Sequence, residues 1–365
     1  MNHNLEEIFC RFDTGGTYLK GEPFGSGHIH DTFRVITAEQ DKDDYIIQRL
    51  NNKIFKNIPQ LQNNIERVTI HLRDKLKTIP GANLKRECLQ LIPSKEDGKS
   101  WITDNAGNFW RMYIFISNHK SYNIVDTPDK AYEGGKAIGR FQAMLSDLPG
   151  EPLYETIPYF HDIERRLETF SAIVEVNPAG RVEKSGKEIE FVLERAEEMK
   201  IILELGRKGK IPLRITHNDT KFNNILLDEN DKALCVIDLD TVMPGYVHYD
   251  FGDAIRTAAN IAAEDERELS KVKMDISLFE AYARGYLSET RDTLNNTEKE
   301  YLAFAPRLIT YTIAVRFLTD YLDGDNYFKI HHEHHNLQRA RAQFRLVESM
   351  EEQYGEMQRI IRRLI

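Results

Sequence analysis

The chain has 365 residues, 41% hydrophobic and 29% charged, a globular balance in a chain longer than one core usually serves, so two domains or lobes are expected. Its net charge of −9 is spread along the sequence rather than gathered in a tail, which disfavours nucleic acid and anionic membranes as partners. Cys10, Cys88 and Cys235 are far apart and form no CxxC. The N-terminus is acidic where a signal peptide is basic, and no apolar run is long enough to span a membrane, so a cytoplasmic protein is expected.

Within residues 1–20, Leu5, Ile8, Phe9 and Phe12 mark one short amphipathic helix. Residues 23–36 read as a hairpin with a Gly25-Ser26-Gly27 tip, and 45–50 as the next strand. Ile58, Leu61, Ile65, Val68 and Leu72 keep helical spacing across 57–77. Residues 89–93, 100–103 and 109–116 are strand-like, the last two joined by a turn at 105–108. After Ile116 the composition shifts. A polar connector at 117–123 leads to helices expected at about 129–147, 161–174, 187–208, 276–289, 297–322 and 336–364, with an exposed loop at 177–186. The predicted class is α+β: a small β-rich lobe over 1–116, the connector, and a larger helical lobe over 124–365.

Residues 215–238 carry the chemistry. His217, Asn218, Asp219, Lys221, Asn223 and Asn224 form a polar cluster, followed by two apolar runs that read as a β-hairpin ending on Asp238. The hairpin is expected to return Asp238 towards Asp219 and Asn224. Phosphoryl transfer asks for a carboxylate to orient and deprotonate an acceptor hydroxyl, oxygen ligands for Mg²⁺, and a cation for the developing charge. Asp219 is the expected base, Asn224 and Asp238 the expected metal ligands, and Lys221 the cation; Asp240 is expected to assist through water. Each alone would be an ordinary turn residue. Their joint spacing around a hairpin points to catalysis.

The pattern His217-x-Asp219-x-x-x-x-Asn224, then Ile237-Asp238, Gly245 and Asp250, resembles the catalytic core of the aminoglycoside phosphotransferase and choline kinase superfamily, whose two-lobe fold is protein-kinase-like. Segments 23–30, 216–226, 237–245, 316–328 and 335–341 are similar to those of N-acetylhexosamine 1-kinases. The resemblance implies ATP and Mg²⁺ as cofactors and the anomeric hydroxyl of GlcNAc or GalNAc as acceptor. It implies that Gly25, Ser26 and Gly27 cover the nucleotide phosphates and that Phe115 and Ile116 meet adenine through their backbone. His28, Arg316 and Tyr327, with Asp219, would face the sugar, and Asp250 would support the catalytic loop.

The strand at 45–50 departs from most kinases, which place a lysine there. Gln48 or Arg49 would have to grip the phosphates, with Glu66 the natural ion-pair partner of Arg49. Arg316 stands in an apolar run, where it needs either a carboxylate partner or a ligand. Residues 331–335, rich in histidine, read as a solvated loop rather than a metal site. Two other readings stay open: a kinase of the same superfamily for another hexose, an aminoglycoside or choline, and a non-catalytic nucleotide-binding protein.

Overall fold

The computed structural model describes residues 4–25 and 29–365. It divides into two compact units. The first comprises Met1–His119, Asp147–Pro158 and Leu234–Met243; the second comprises Lys120–Ser146, Tyr159–Ala233 and Pro244–Ile365. The first boundary thus falls inside the polar connector, and two later segments belong to the first unit.

The first unit opens with helix α1 (Leu5–Cys10), then strands β1 (Tyr18–Pro23), β2 (Asp31–Thr37) and β3 (Tyr45–Leu50), helix α2 (Ile58–Lys77), and strands β4 (Trp101–Thr103) and β5 (Phe109–Ile114). The strands form one antiparallel sheet in the order β1-β2-β3-β5-β4. Side chains alternate across a strand, so Val35, Ile47, Trp110 and Met112 share one face, where Leu5, Ile8 and Phe9 of α1 complete a core. The same alternation sends Thr32, Gln48 and Arg111 to the other face. The register sets these three in a row, Thr32 opposite Gln48 and Gln48 opposite Arg111. Helix α2 starts where the Asn57 side chain accepts the Gln60 N–H, with Pro59 in the first turn, and buries the expected Leu61, Ile65, Val68 and Leu72.

The second unit holds α3 (Pro128–Leu145), α4 (Ile163–Val176), α5 (Gly186–Arg195), α6 (Ile201–Arg207), α7 (Val247–Ala258), α8 (Ile276–Thr290), α9 (Asn296–Glu300), α10 (Ala305–Asp323), α11 (His335–Glu352) and α12 (Tyr354–Leu364). Helix α10 contributes to a core of this unit, burying Leu308, Ile309, Tyr311, Val315 and Leu318. The expected hairpin is present. Ile225–Leu227 and Ala233–Val236 form a two-stranded ladder, closed by a turn in which Asp228 N–H donates to Lys232 O (2.8 Å).

Several expectations change. Residues 89–93 form no strand beyond a single bridge between Leu91 and Tyr113, and Pro93 has no N–H to extend a ladder. Strand β1 went unread because it is a largely exposed edge with little alternation. The expected helix over 297–322 divides into α9 and α10 where Pro306 sets a new N-terminus. That over 336–364 divides at Gln353, just before Gly355. That over 187–208 breaks between α5 and α6 with no glycine or proline at the break. Helix α7 was missed although its polar residues recur at helical spacing (Asp250, Asp253, Arg256), and it is buried on nearly every side, that polar face included. Among the described residues no helix is long and apolar enough to cross a membrane.

Helices α3 and α8 approach closely enough that only glycine fits. A Cβ on Gly135 would lie 2.1 Å from the Tyr282 carbonyl oxygen, and one on Gly285 would lie 2.0 Å from that of Tyr132. Both obstructions are backbone. Gly135→Ala is therefore expected to destabilise the protein by about 1–3 kcal/mol, the range of core overpacking, measured by urea unfolding; an unchanged midpoint would contradict the close contact. Cys10 is exposed, whereas Cys88 and Cys235 are buried. Burial pushes the Cys88 thiol up to about 12 and Cys235 well above its ordinary value. Titration with an aromatic disulfide should find one reactive thiol per native chain and all three only after unfolding.

Candidate functional site

The polar cluster follows the short strand Arg214–Thr216 and is shaped by one buried carboxylate. Asp250, in the first turn of α7, accepts N–H bonds from His217 (2.8 Å) and Asn218 (2.6 Å). It also accepts from the Gln142 side chain (2.6 Å), and its backbone oxygen accepts from the Thr220 hydroxyl (2.6 Å). Burial raises the Asp250 pKa, while His217 and these donors oppose that shift. Asn218, held in this way, adopts left-handed geometry with φ 65°. Its carbonyl is fixed in turn by Nε2 of buried His161 at 2.9 Å.

The next residue is Asp219, whose side chain keeps 22% of its surface exposed. Lys221 Nζ lies 3.1 Å from Asp219 Oδ2, and the Asn224 amide donates to the Asp219 carbonyl (2.8 Å) and carboxylate (3.3 Å). Burial works against the charge, but the Lys221 ammonium, then His217 and Arg256, hold the Asp219 carboxyl below the usual carboxylate range. Arg256 is itself paired with Asp253 (2.8 Å) and Glu264 (2.6 Å). The structure thus brings Asp219, Lys221 and Asn224 together. Because the Asn224 amide nitrogen is committed to Asp219, its side-chain oxygen is the atom suited to a hard cation.

Asp238 ends the hairpin in left-handed geometry, φ 61° and ψ 57°, a conformation that costs a non-glycine residue roughly 1–2 kcal/mol unless its surroundings impose it. Two residues on, Asp240 is buried in a pair that sequence reasoning missed. Arg111 donates from both terminal nitrogens to the two Asp240 oxygens, at 2.6 and 2.5 Å, and from Nε to the Gln48 oxygen at 2.9 Å. His30 accepts the Asn51 N–H on Nδ1 (3.0 Å), so its Nε2 carries the proton and stands 3.5 Å from Asp240. Burial opposes the Asp240 charge, yet Arg111 and then His30 hold its pKa far below the ordinary value. Asp240 is therefore occupied by Arg111 rather than poised to serve a metal through water.

Both ends of the Gln48 amide are already bonded: its oxygen accepts from Arg111 and its nitrogen donates to Thr32 (3.0 Å). Arg49 pairs with Asp31 and reaches Asn108 (3.3 Å). Glu66, the partner expected for Arg49, instead accepts the Ser100 N–H at 3.3 Å. The position directly opposite Gln48 on the neighbouring strand, Arg111, carries the buried cation. At the connector, Phe115 N–H donates to Asp44 O (2.8 Å) and Ile116 O meets His119 Nδ1 (2.5 Å), so two of the backbone groups expected to face adenine are already bonded. Gly25 takes φ 77°, a turn conformation that suits glycine; Ser26, Gly27 and His28 lie outside the described residues.

Arg316 is half-buried among aromatic rings, 5.5 Å from Phe160, 5.8 Å from Tyr327 and 5.5 Å from Phe328. Among the described residues no carboxylate pairs with it. Its neighbour Arg166 donates to Phe160 O (3.0 Å) and has an unbonded buried Nε; burial and then Arg316 push its pKa down to about 10. Burial likewise lowers His161 to about 4, with Arg316 opposing and Asp219 favouring its protonation, so the arginines share surroundings with the 217–219 loop. Tyr327 is exposed, but its loop is anchored: Asp320 accepts the Tyr327 N–H (2.7 Å), the Phe328 N–H (2.9 Å) and the Asn336 amide (2.8 Å). The histidine run is not wholly solvated, since His335 is buried against Asp265 at 3.0 Å. Among the described residues no group of three or more His, Cys, Asp or Glu converges on a metal position.

Comparison with known proteins fits this geometry. Residues 20–295, more than half of the chain, match the model of the phosphotransferase enzyme family. The chain belongs to that family. Solved structures with the same fold include a spectinomycin phosphotransferase in complex with ADP and spectinomycin (13% identity, TM-score 0.58, 96% of this chain and 98% of that one). A microcompartment-associated aminopropanol kinase aligns at 14% identity with TM-score 0.59 over 97% of each chain. Choline kinase from Cryptosporidium parvum aligns at 13% identity with TM-score 0.56, over 93% of this chain and 90% of that one. The fold is thus the α+β, protein-kinase-like one, with an N-terminal antiparallel sheet and a mostly helical remainder.

Asp250→Asn is expected to leave one buried backbone N–H of the 217–218 pair facing an amide NH₂, at about 1–3 kcal/mol. Urea unfolding would read the loss, and a variant as stable as the parent would show that the carboxylate is not needed there.

Proposed function

We propose that the protein is an ATP- and Mg²⁺-dependent kinase that phosphorylates the anomeric hydroxyl of N-acetylhexosamines, GlcNAc and GalNAc, giving the α-1-phosphate. The observation that carries the acceptor class is the pair Arg316 and Arg166: Arg316 lies among aromatic rings and, among the described residues, has no carboxylate partner, and Arg166 is the second guanidinium beside it. Such a wall repels choline or an aminoglycoside, whose cationic groups need acidic partners. It suits an oxygen-rich neutral sugar, to which an arginine can donate paired hydrogen bonds while a ring covers the C–H face. The segments similar to N-acetylhexosamine 1-kinases narrow the acceptor further, with His28, Arg316 and Tyr327 as the sugar contacts.

In this reading Asp219 accepts a hydrogen bond from the anomeric hydroxyl and takes its proton as the sugar oxygen bonds to the γ-phosphorus. The bond from that phosphorus to the β–γ bridging oxygen breaks, and ADP leaves. The lowered pKa of Asp219 makes it chiefly an orienting base, which suits a loose transition state in which the proton moves late. Lys221 would meet the charge on the transferring group. Asn224 and Asp238 would be the Mg²⁺ ligands, each offering a hard oxygen, carboxamide and carboxylate, of the kind that cation takes. The metal would supply neutralisation of the nucleotide phosphates. The Gly25-Ser26-Gly27 tip would cover them, and Phe115 and Ile116 would line the base.

Asp219→Asn is expected to lower turnover by a factor of at least about 10², within the range of general-base removal, while ATP binding stays near that of the parent. Assaying ATP consumption with hexoses, N-acetylhexosamines, choline and aminoglycosides, and locating the phosphate by phosphorus-coupled NMR, tests the acceptor. A product phosphorylated on C6, or a preference for choline, would overturn the assignment.

A further inference from the structure

A complete ion pair buried beneath a sheet adds little to stability by itself, because desolvating both charges offsets most of their attraction. Arg111 and Asp240 form such a pair, with side chains 1% and 3% exposed. What distinguishes it is its position. Asp240 lies two residues after Asp238, in the segment Leu234–Met243 that belongs to the sheet-bearing unit although most of the neighbouring sequence does not.

We propose that Arg111, acting through Asp240, is a positioning residue that fixes Asp238 in its left-handed, metal-binding conformation. This rests on the reading of Asp238 as a Mg²⁺ ligand. Arg111 is itself oriented by the polar row across the sheet: Thr32 accepts from Gln48, and Gln48 accepts from Arg111 Nε. Its two terminal nitrogens then fix both oxygens of Asp240, a planar two-point contact that sets direction as well as distance. Two further tethers hold the same segment. The Thr156 hydroxyl donates to Asp240 O (2.8 Å), and the Asn64 amide of α2 donates to Val242 O (3.1 Å). Asp238 is left-handed directly before this anchored stretch. The Gln48 substitution thereby acquires a purpose, since a lysine in its place would put a second cation beside Arg111 and remove the acceptor that aims it.

The test uses Arg111→Met combined with Asp240→Leu, which removes both charges and avoids stranding one, with Arg111→Lys as a milder variant and Asp238→Asn as control. In metal-free protein, hydrogen exchange of the 237–240 amides is expected to rise at least about tenfold in the paired variant. Mn²⁺ affinity in the presence of ADP, read by electron paramagnetic resonance, is expected to fall at least tenfold, while KM for the sugar stays within twofold and kcat falls. A folded paired variant with parental Mn²⁺ affinity and parental exchange would overturn the proposal. If the paired variant does not fold, Arg111→Lys decides: it has lost the planar two-point contact, and unchanged Mn²⁺ affinity would overturn the proposal equally. Failure of the parent itself to bind Mn²⁺ with ADP would sink the phosphotransfer reading and this inference with it, an outcome distinct from a parent that binds and a clamp variant that binds as well.

Discussion

The second unit depends on a carboxylate that has no access to water. Asp250 sits in a helix buried on nearly all sides, and it receives the N–H groups of His217 and Asn218, which would otherwise face an apolar interior. Its third donor, Gln142 of α3, is held by the Tyr286 hydroxyl of α8 at 2.5 Å. That bond requires the two helices to lie as close as the glycines at 135 and 285 allow. The glycine contact sets where Gln142 and Tyr286 stand, and they orient Asp250. Asp250 shapes the loop, and the loop presents Asp219. Positions remote in sequence thus determine where one carboxylate points, and a small displacement anywhere along that line is felt at the proposed base.

What could be read in the sequence follows from how far each interaction reaches. The Asp219–Asn224 cluster and its hairpin are local, so residue type and spacing were enough to find them. Helix α2 and strand β3 carry clear periods because each has one buried and one less buried face. Helix α7 has a polar face too, Asp250, Asp253 and Arg256, but that face is buried and turned to the loop rather than to solvent. Arg111 was overlooked although a charge within the apolar run at 109–114 is the same signal that singled out Arg316. Its partner Asp240 lies 129 residues away, and the polar row that orients it exists only once β2, β3 and β5 are in register. The expectation for Gln48 and Arg49 assumed that a phosphate-gripping cation stays on its usual strand. The ladder shows Gln48 serving the neighbouring strand's arginine instead.

The unit's other buried or half-buried arginines sharpen the contrast at the proposed acceptor site. Arg214 pairs with Glu298 at 2.6 Å, Arg307 with Glu198 at 2.8 Å, and Arg195 with Glu351 at 2.9 Å. A guanidinium removed from water is ordinarily matched by a carboxylate because the cost of leaving it unmatched is high. Arg316 has aromatic faces instead, and a second arginine beside it raises that cost. An oxygen-rich ligand would relieve both, which is why the arginines bear on the acceptor's chemistry more directly than the exposed ring of Tyr327.

Two residues of the proposed phosphotransfer machinery stand at or beside left-handed backbone: Asn218 immediately precedes the proposed base, and Asp238 is the proposed ligand. Glycine would adopt either conformation at least cost. Asp238 cannot be glycine if it is to offer a carboxylate, and Asn and Asp are the side chains that tolerate the region best. Each position is then secured by a different buried carboxylate: Asp250 holds the backbone of Asn218 directly, and Asp240, clamped by Arg111, anchors the chain just past Asp238. The two anchors occupy different units and different helices and strands, yet they answer one constraint. A strained residue that must carry or present a functional group needs more fixed contacts around it than an unstrained one. On that account the buried charges are retained for the conformation they impose more than for the stability they add.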